Sequence, residues 1–218
     1  MDHHGLMTRP LIGITSEMTA AGWGDRVREA VLLPADYALA LERSGCTPVL
    51  LPSASYLSPD LAAALDGLVF SDGASEATLM RAAIGTGLPL LAIGGAMLVL
   101  NVARGGSLTG PGDDGAAPGP VTWIDRDVRL SPVSKLGGLL GPSVTATFAS
   151  APSGRDQAVD RLGSDVTAAG WSDGESIEAI ELTGHPFALG MRWHPERGED
   201  LRIFEALRTA ADGRSAAA

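Results

Sequence analysis

Residues 89–106, Pro-Leu-Leu-Ala-Ile-Gly-Gly-Ala-Met-Leu-Val-Leu-Asn-Val-Ala-Arg-Gly-Gly, decide the architecture. Pro89–Ile93 is a short unbroken apolar run, the pattern of a parallel strand buried on both faces. Gly94-Gly95 is a sharp turn, and Ala96–Ala103 reads as the helix behind it. Strand, tight turn and helix have the layout of a nucleophile elbow. An elbow lifts a reactive side chain above the C-terminal edge of a sheet, in a strained turn that suits few residues. Here the turn is present but carries no side chain, and the functional reading follows from that absence.

Outward from the elbow, strand and helix alternate. Leu11–Thr15, Thr47–Leu51 and Gly67–Phe70 are further apolar runs that read as strands. Ser16–Leu33, with Gly22, Gly24 and mixed charge, lacks clean periodicity and reads as a long surface loop. Pro34–Ser44 has helical spacing, with Pro34 suited to the first turn and Gly45 to the C-terminal cap. Ser58-Pro59-Asp60 is a helix start, with a hydroxyl cap, proline in the first position and an acid in the first turn. Ser71-Asp72-Gly73 is a turn before a helix over Ser75–Ala83. Such alternation with short connections predicts a doubly wound parallel sheet, with a ligand site beyond the C-terminal strand ends. Ser16, Ser71–Gly73 and Gly94-Gly95 fall on that edge.

Arg104–Pro120 is rich in Gly, Pro and Asp and reads as a loop. The second half is mostly extended, with candidate strands at 121–125, 128–130, 144–148, 166–169, 177–182 and 187–191. Trp171-Ser-Asp-Gly174 is a turn and Trp193–Arg197 a loop. Asp200–Ala211 is an amphipathic helix with Leu201, Phe204 and Leu207 on one face.

The 218 residues are 45% hydrophobic, enough for a full core. A formal net charge of −10 argues against nucleic acid and anionic membrane surfaces as partners. The lone cysteine, Cys46, rules out an intrachain disulfide. No Cys/His spacing suits a metal, no apolar run reaches a membrane span, and Met1–Thr8 lacks a signal-peptide core. A cytoplasmic chain needing no cofactor or metal is expected. Its expected organisation is one domain over 9–213 between flexible tails at 1–8 and 214–218.

The pattern resembles class I glutamine amidotransferases, and within them the γ-glutamyl peptide hydrolases (γ-glutamyl-γ-aminobutyrate hydrolase-like). The resemblance rests on Arg9–Thr15, Gly45–Pro52, Leu65–Gly73, Leu100–Leu108, Ile177–Ile180 and Trp193-His-Pro-Glu196. It implies a flavodoxin-like three-layer α/β sandwich with a central, mostly parallel sheet. In that family an elbow cysteine attacks a γ-carboxamide, a histidine is the base, a glutamate orients it, and backbone N–H groups hold the oxyanion. Carried over, His194 matches the base, Glu196 the orienting acid and Gly94 the nucleophile. Gly95 and Gly73 match the oxyanion donors. The chain departs from the pattern elsewhere too. The glutamine on the elbow helix is Leu98 and the glycine after the elbow is Ala96. The pocket histidines fall at Arg155 and Asp156, and the glutamine before Trp193 is Arg192.

Each candidate carries two readings. His194 with Glu196 is an acid–base pair or a structural turn. Ser71 and Asp72 are ligand contacts or a capped turn, and a carboxylate at Asp72 would repel a developing oxyanion. Arg155, Asp156 and Arg192 bind a carboxylate-bearing ligand or form solvated ion pairs. Glu17 borders the pocket or is a loop acid. Trp23 is a lid or packs under its loop. Cys46 is a displaced nucleophile or a small buried apolar residue. Without a thiolate no acyl-enzyme forms. The expected function is therefore non-hydrolytic acid/base chemistry, such as cyclisation, isomerisation, elimination or decarboxylation, on a small polar metabolite. The alternative is an inactive pseudoenzyme that binds a ligand or a partner. Expected partners are that small molecule and either a second copy in a homodimer or a biosynthetic partner protein.

Overall fold

The short apolar runs become parallel strands because helices bury them on both faces. The computed structural model describes residues 9–52, 58–71, 77–110, 121–150 and 157–215. The chain begins β1 (Leu11–Trp23), β2 (Arg26–Leu32), α1 (Ala35–Arg43), β3 (Thr47–Pro52), α2 (Pro59–Ala64), β4 (Gly67–Phe70) and α3 (Ala77–Thr86). It continues β5 (Leu90–Ile93), α4 (Ala96–Ala103), β6 (Ser107–Thr109), β7 (Thr122–Leu130), α5 (Lys135–Leu140) and β8 (Ser143–Ser150). It ends β9 (Ala158–Arg161), β10 (Val166–Trp171), β11 (Ile177–Leu182), β12 (Ala188–Met191) and α6 (Arg202–Ser215).

Parallel pairing joins the strands in the order β3, β1, β4, β5, β12. Numbered among themselves along the chain, these run 2-1-3-4-5, the flavodoxin-like order. Beyond β12 the ten-stranded sheet turns antiparallel through β11, β10, β7 and β8. Side chains alternate between the two faces. Leu91 and Ile93 of β5 enter one core cluster with Tyr37 and Leu41 of α1 and Phe204 and Leu207 of α6. Leu90 and Ala92 enter the other, with Met80 of α3 and Met97 and Leu100 of α4. Ser58 caps α2 as its sequence predicts, accepting from the Leu61 N–H at 3.1 Å.

Several expectations need correction. Ser16–Leu33 is not a loop: β1 runs on to Trp23 and pairs antiparallel with β2, from Glu17 opposite Leu32 to Trp23 opposite Arg26. Gly24, at φ +61°, and Asp25 make the two-residue turn. The hairpin has little apolar alternation because most of its side chains are exposed on either face, so the usual strand signal is missing. The Gly-Asp pair was the one cue available. The 104–120 segment includes β6, which pairs with the unanticipated β9. The proposed strands at 121–125 and 128–130 are one strand, β7, since cross-strand pairing with β8 carries it through the charged residues between them. The short α5, with Ser134 as its cap, was also unanticipated.

Buried Asn101 latches the small β6–β9 sheet to α4. Its Nδ2 donates to the Arg161 carbonyl at 3.0 Å, and its Oδ1 accepts from the Gly163 N–H at 2.9 Å. Removing the amide leaves buried backbone groups unpaired, so Asn101→Ala should cost about 2–3 kcal/mol in denaturant unfolding. Hydrogen exchange should show Leu108 and Val159 losing protection before the parallel core does.

Candidate active site

Two adjacent parallel strands build the site. β5 and β12 run side by side, with Ile93 opposite Met191. The chain then turns at Gly94, whose φ of +65° is a conformation other residues adopt only under strain. The Gly94 N–H donates to the Met191 carbonyl at 2.8 Å, continuing the strand pairing past the strand end. The carbonyls of Gly94 and Gly95 then accept from Met97 and Leu98, which starts α4. The elbow expected from the sequence is thus present in shape, with a hydrogen atom where a side chain would stand.

β12 leaves the same edge as Arg192, Trp193 and His194. Trp193 is buried and tilts against Phe148, ring centroids 6.4 Å apart. The His194 N–H donates to the Thr147 carbonyl of β8 at 2.8 Å, so the antiparallel half of the sheet fixes the backbone of this turn. Pro195–Arg197 form one 3₁₀ turn, which folds Glu196 back toward the imidazole. His194 Nδ1 lies 2.7 Å from Glu196 Oε1, with both side chains buried. A carboxylate oxygen facing Nδ1 favours the tautomer that carries its proton on that nitrogen. Glu196 Oε2 is buried with no hydrogen-bond partner among the described residues. The carboxylate is thus devoted to the imidazole. Such a pair can take up and return a proton.

The remaining predicted residues separate into groups. Ser71 lies on the site edge, but both of its donors are engaged with Thr15. Its N–H meets Thr15 Oγ1 at 3.0 Å and its hydroxyl meets the Thr15 carbonyl at 2.7 Å. Glu17 is exposed at the start of the hairpin, and Trp23 stands 69% exposed at its tip, neither a lid nor packed beneath a loop. Gly95 is the N-cap of α4. Arg192 is half-buried, and among the described residues its guanidinium has no hydrogen bond or ion pair. Its backbone N–H donates to the carbonyl of Glu178, a buried acid that accepts from Ser172 Oγ at 2.7 Å. Asp72, Gly73, Arg155 and Asp156 lie outside the described residues.

Cys46 follows α1 and precedes β3, at the opposite edge of the parallel sheet from Gly94. Burial, the dominant cause, pushes its thiol up to about 11. It is a core residue, and the displaced-nucleophile reading does not stand. His185 precedes β12 at that same far edge, where burial holds its imidazole below the usual range. The sequence reading missed Trp123, Thr147, Arg197 and Asp36, which gather around the His194 turn from β7, β8, the turn itself and α1. No local motif marks any of them.

The peptidase C26 family model matches residues 73–196. The chain belongs to this family. A Mycobacterium tuberculosis protein, provisionally named a glutamine amidotransferase, is 30% identical over 239 aligned residues, covering 94% of this chain and 76% of its own length. A Rickettsia prowazekii protein, provisionally named glutamine amidotransferase-like, is 31% identical over 94 residues, or 41% of this chain and 32% of that protein. In fold, the C26 chain is similar to a crystal structure from Thermoplasma acidophilum, provisionally named as one of the subunits of a GMP synthase. The TM-score is 0.69 at 15% identity, covering 96% of this chain and 98% of that one. The class I glutamine amidotransferase resemblance and the flavodoxin-like α/β sandwich both hold.

Two measurements check this geometry. Because Gly94 has a positive φ, Gly94→Ala should destabilise the fold by about 1–2 kcal/mol in chemical unfolding. Cys46 should resist a thiol reagent at neutral pH until the chain unfolds. Its raised thiol favours the folded state fully below the unfolded value of 9.0, and that contribution is lost as pH rises toward 11. Wild type should therefore lose more stability than Cys46→Ala across that window.

Proposed function

We propose that this C26 protein uses His194 and Glu196 for acid–base chemistry on a small polar metabolite, and does not hydrolyse γ-glutamyl amides through a thiol. One observation carries the reading. The elbow turn and the His194–Glu196 pair persist on adjacent strands, while position 94 has no side chain. An acyl-enzyme needs a nucleophile, and a proton transfer does not. Cyclisation, isomerisation, elimination or decarboxylation fits a positioned imidazole with an orienting carboxylate. Arg192, half-buried and without an ionic partner among the described residues, supports a ligand that bears a carboxylate.

A second reading, a binding subunit without turnover, is favoured by the β1–β2 hairpin, where Trp23 and Val27 are 69% and 74% exposed. The Thermoplasma neighbour is likewise named as part of a larger enzyme. Light scattering separates the readings: a docking hairpin requires an assembly that Trp23→Ala weakens.

The main reading is tested with a glutamine-directed diazo-ketone, followed by mass spectrometry. Wild type should stay unlabelled, and Gly94→Cys should acquire label if the pocket still admits a γ-glutamyl group. Covalent modification of the wild-type pocket overturns the reading. Turnover found in a metabolite screen should fall at least about 100-fold in His194→Ala, the lower range of general acid–base contributions.

A further inference from the structure

A hydrogen bond at Nδ1 fixes one end of an imidazole. The tilt of the ring about that bond, and so the direction in which Nε2 points, depends on what packs against its side. At His194 one such neighbour is Trp123 of β7, met edge to face, with centroids 5.0 Å apart and planes at 88°. This is a preferred aromatic geometry. Trp123 is itself 41% exposed, and a ring so open to water would not hold its rotamer unaided. It is held from outside: the Arg197 guanidinium carbon lies 3.9 Å from the centre of its ring. Arg197 in turn reaches Asp36 Oδ2 on α1 at 3.2 Å. Asp36, Arg197, Trp123 and His194 thus form one continuous line across α1, the 3₁₀ turn, β7 and the end of β12.

We propose that Trp123 is a positioning residue for His194, and that the Asp36–Arg197 pair clamps it in place. Glu196 selects the tautomer, and Trp123 selects the orientation. The division follows from their contacts: Glu196 touches a ring nitrogen, while Trp123 meets the imidazole ring to ring. The imidazole is 4% exposed, and Trp123 is one of the groups packed against it. Arg197 serves here through its planar face as much as its charge, a role a lysine fills poorly. The exposed Arg197–Asp36 ion pair contributes little stability by itself. Its value is geometric, since it keeps the guanidinium over the indole. This assignment rests on the reading of His194 as the acid–base group, but its test requires no turnover.

The full chain labelled with ¹⁵N/¹³C-histidine has four imidazoles, and His194→Gln assigns the one of interest. In wild type the His194 ring protons should be displaced by the indole ring current, with one tautomer dominant. Trp123→Ala should abolish the displacement and mobilise the ring, and Trp123→Phe should restore most of the order. Arg197→Gln should give an intermediate loss, and Arg197→Lys should not rescue it. Glu196→Gln should disturb the tautomer while the ring-current displacement persists. If Trp123→Ala unfolds the chain, the Phe, Gln and Lys variants still decide the question. An imidazole that stays ordered in Arg197→Gln and in every folded Trp123 variant overturns the proposal. A His194 that orders as expected but is dispensable for turnover overturns only the acid–base reading.

Discussion

The pairing of Leu90–Ile93 with Ala188–Met191, extended by the Gly94 N–H to the Met191 carbonyl, is the constraint on which the site depends. It joins the fourth and fifth parallel strands, which are far apart in the chain. Both strands are fully buried, so a slip in register would move the alternating leucines and alanines into the wrong helix layer. Because the register is strongly held, the elbow and the histidine turn leave the sheet side by side. Their proximity is a consequence of core packing before it is a feature of chemistry.

The two halves of the sheet contribute differently. The parallel half sets the edge at which the elbow, Ser71 and the His194 turn emerge. The antiparallel half shapes that edge from the side: Thr147 of β8 holds the His194 backbone, and Trp123 of β7 packs on its ring. The buried dyad needs this support. A carboxylate with one oxygen on an imidazole and the other unpartnered among the described residues is costly to bury, so the surrounding scaffold must make its position worth holding. With glycine at position 94, that scaffold is complete.

Much of this was legible in residue order. The apolar runs of β3, β4, β5 and β12 and the Ser58-Pro59 helix start follow from local physics and stand where the sequence put them. The pairing of His194 with Glu196 was implied by the family resemblance, and the 2.7 Å contact bears out their proximity. The β1–β2 hairpin was not, because exposure on both faces erases the alternation by which strands are recognised. Trp123 reads only as a strand residue, and Arg197 only as the last residue of the Trp193–Arg197 loop.

The sequence by itself determined the alternating strand-helix layers and the glycine turn, since these arise from periodicity and backbone freedom. Only the tertiary structure decided which distant groups surround the imidazole, where Cys46 lies relative to the elbow, and that Arg192 stands without an ionic partner among the described residues. The reason is physical. Contacts between remote segments depend on strand order and register, and those are settled by burial of the whole core rather than by any stretch within it.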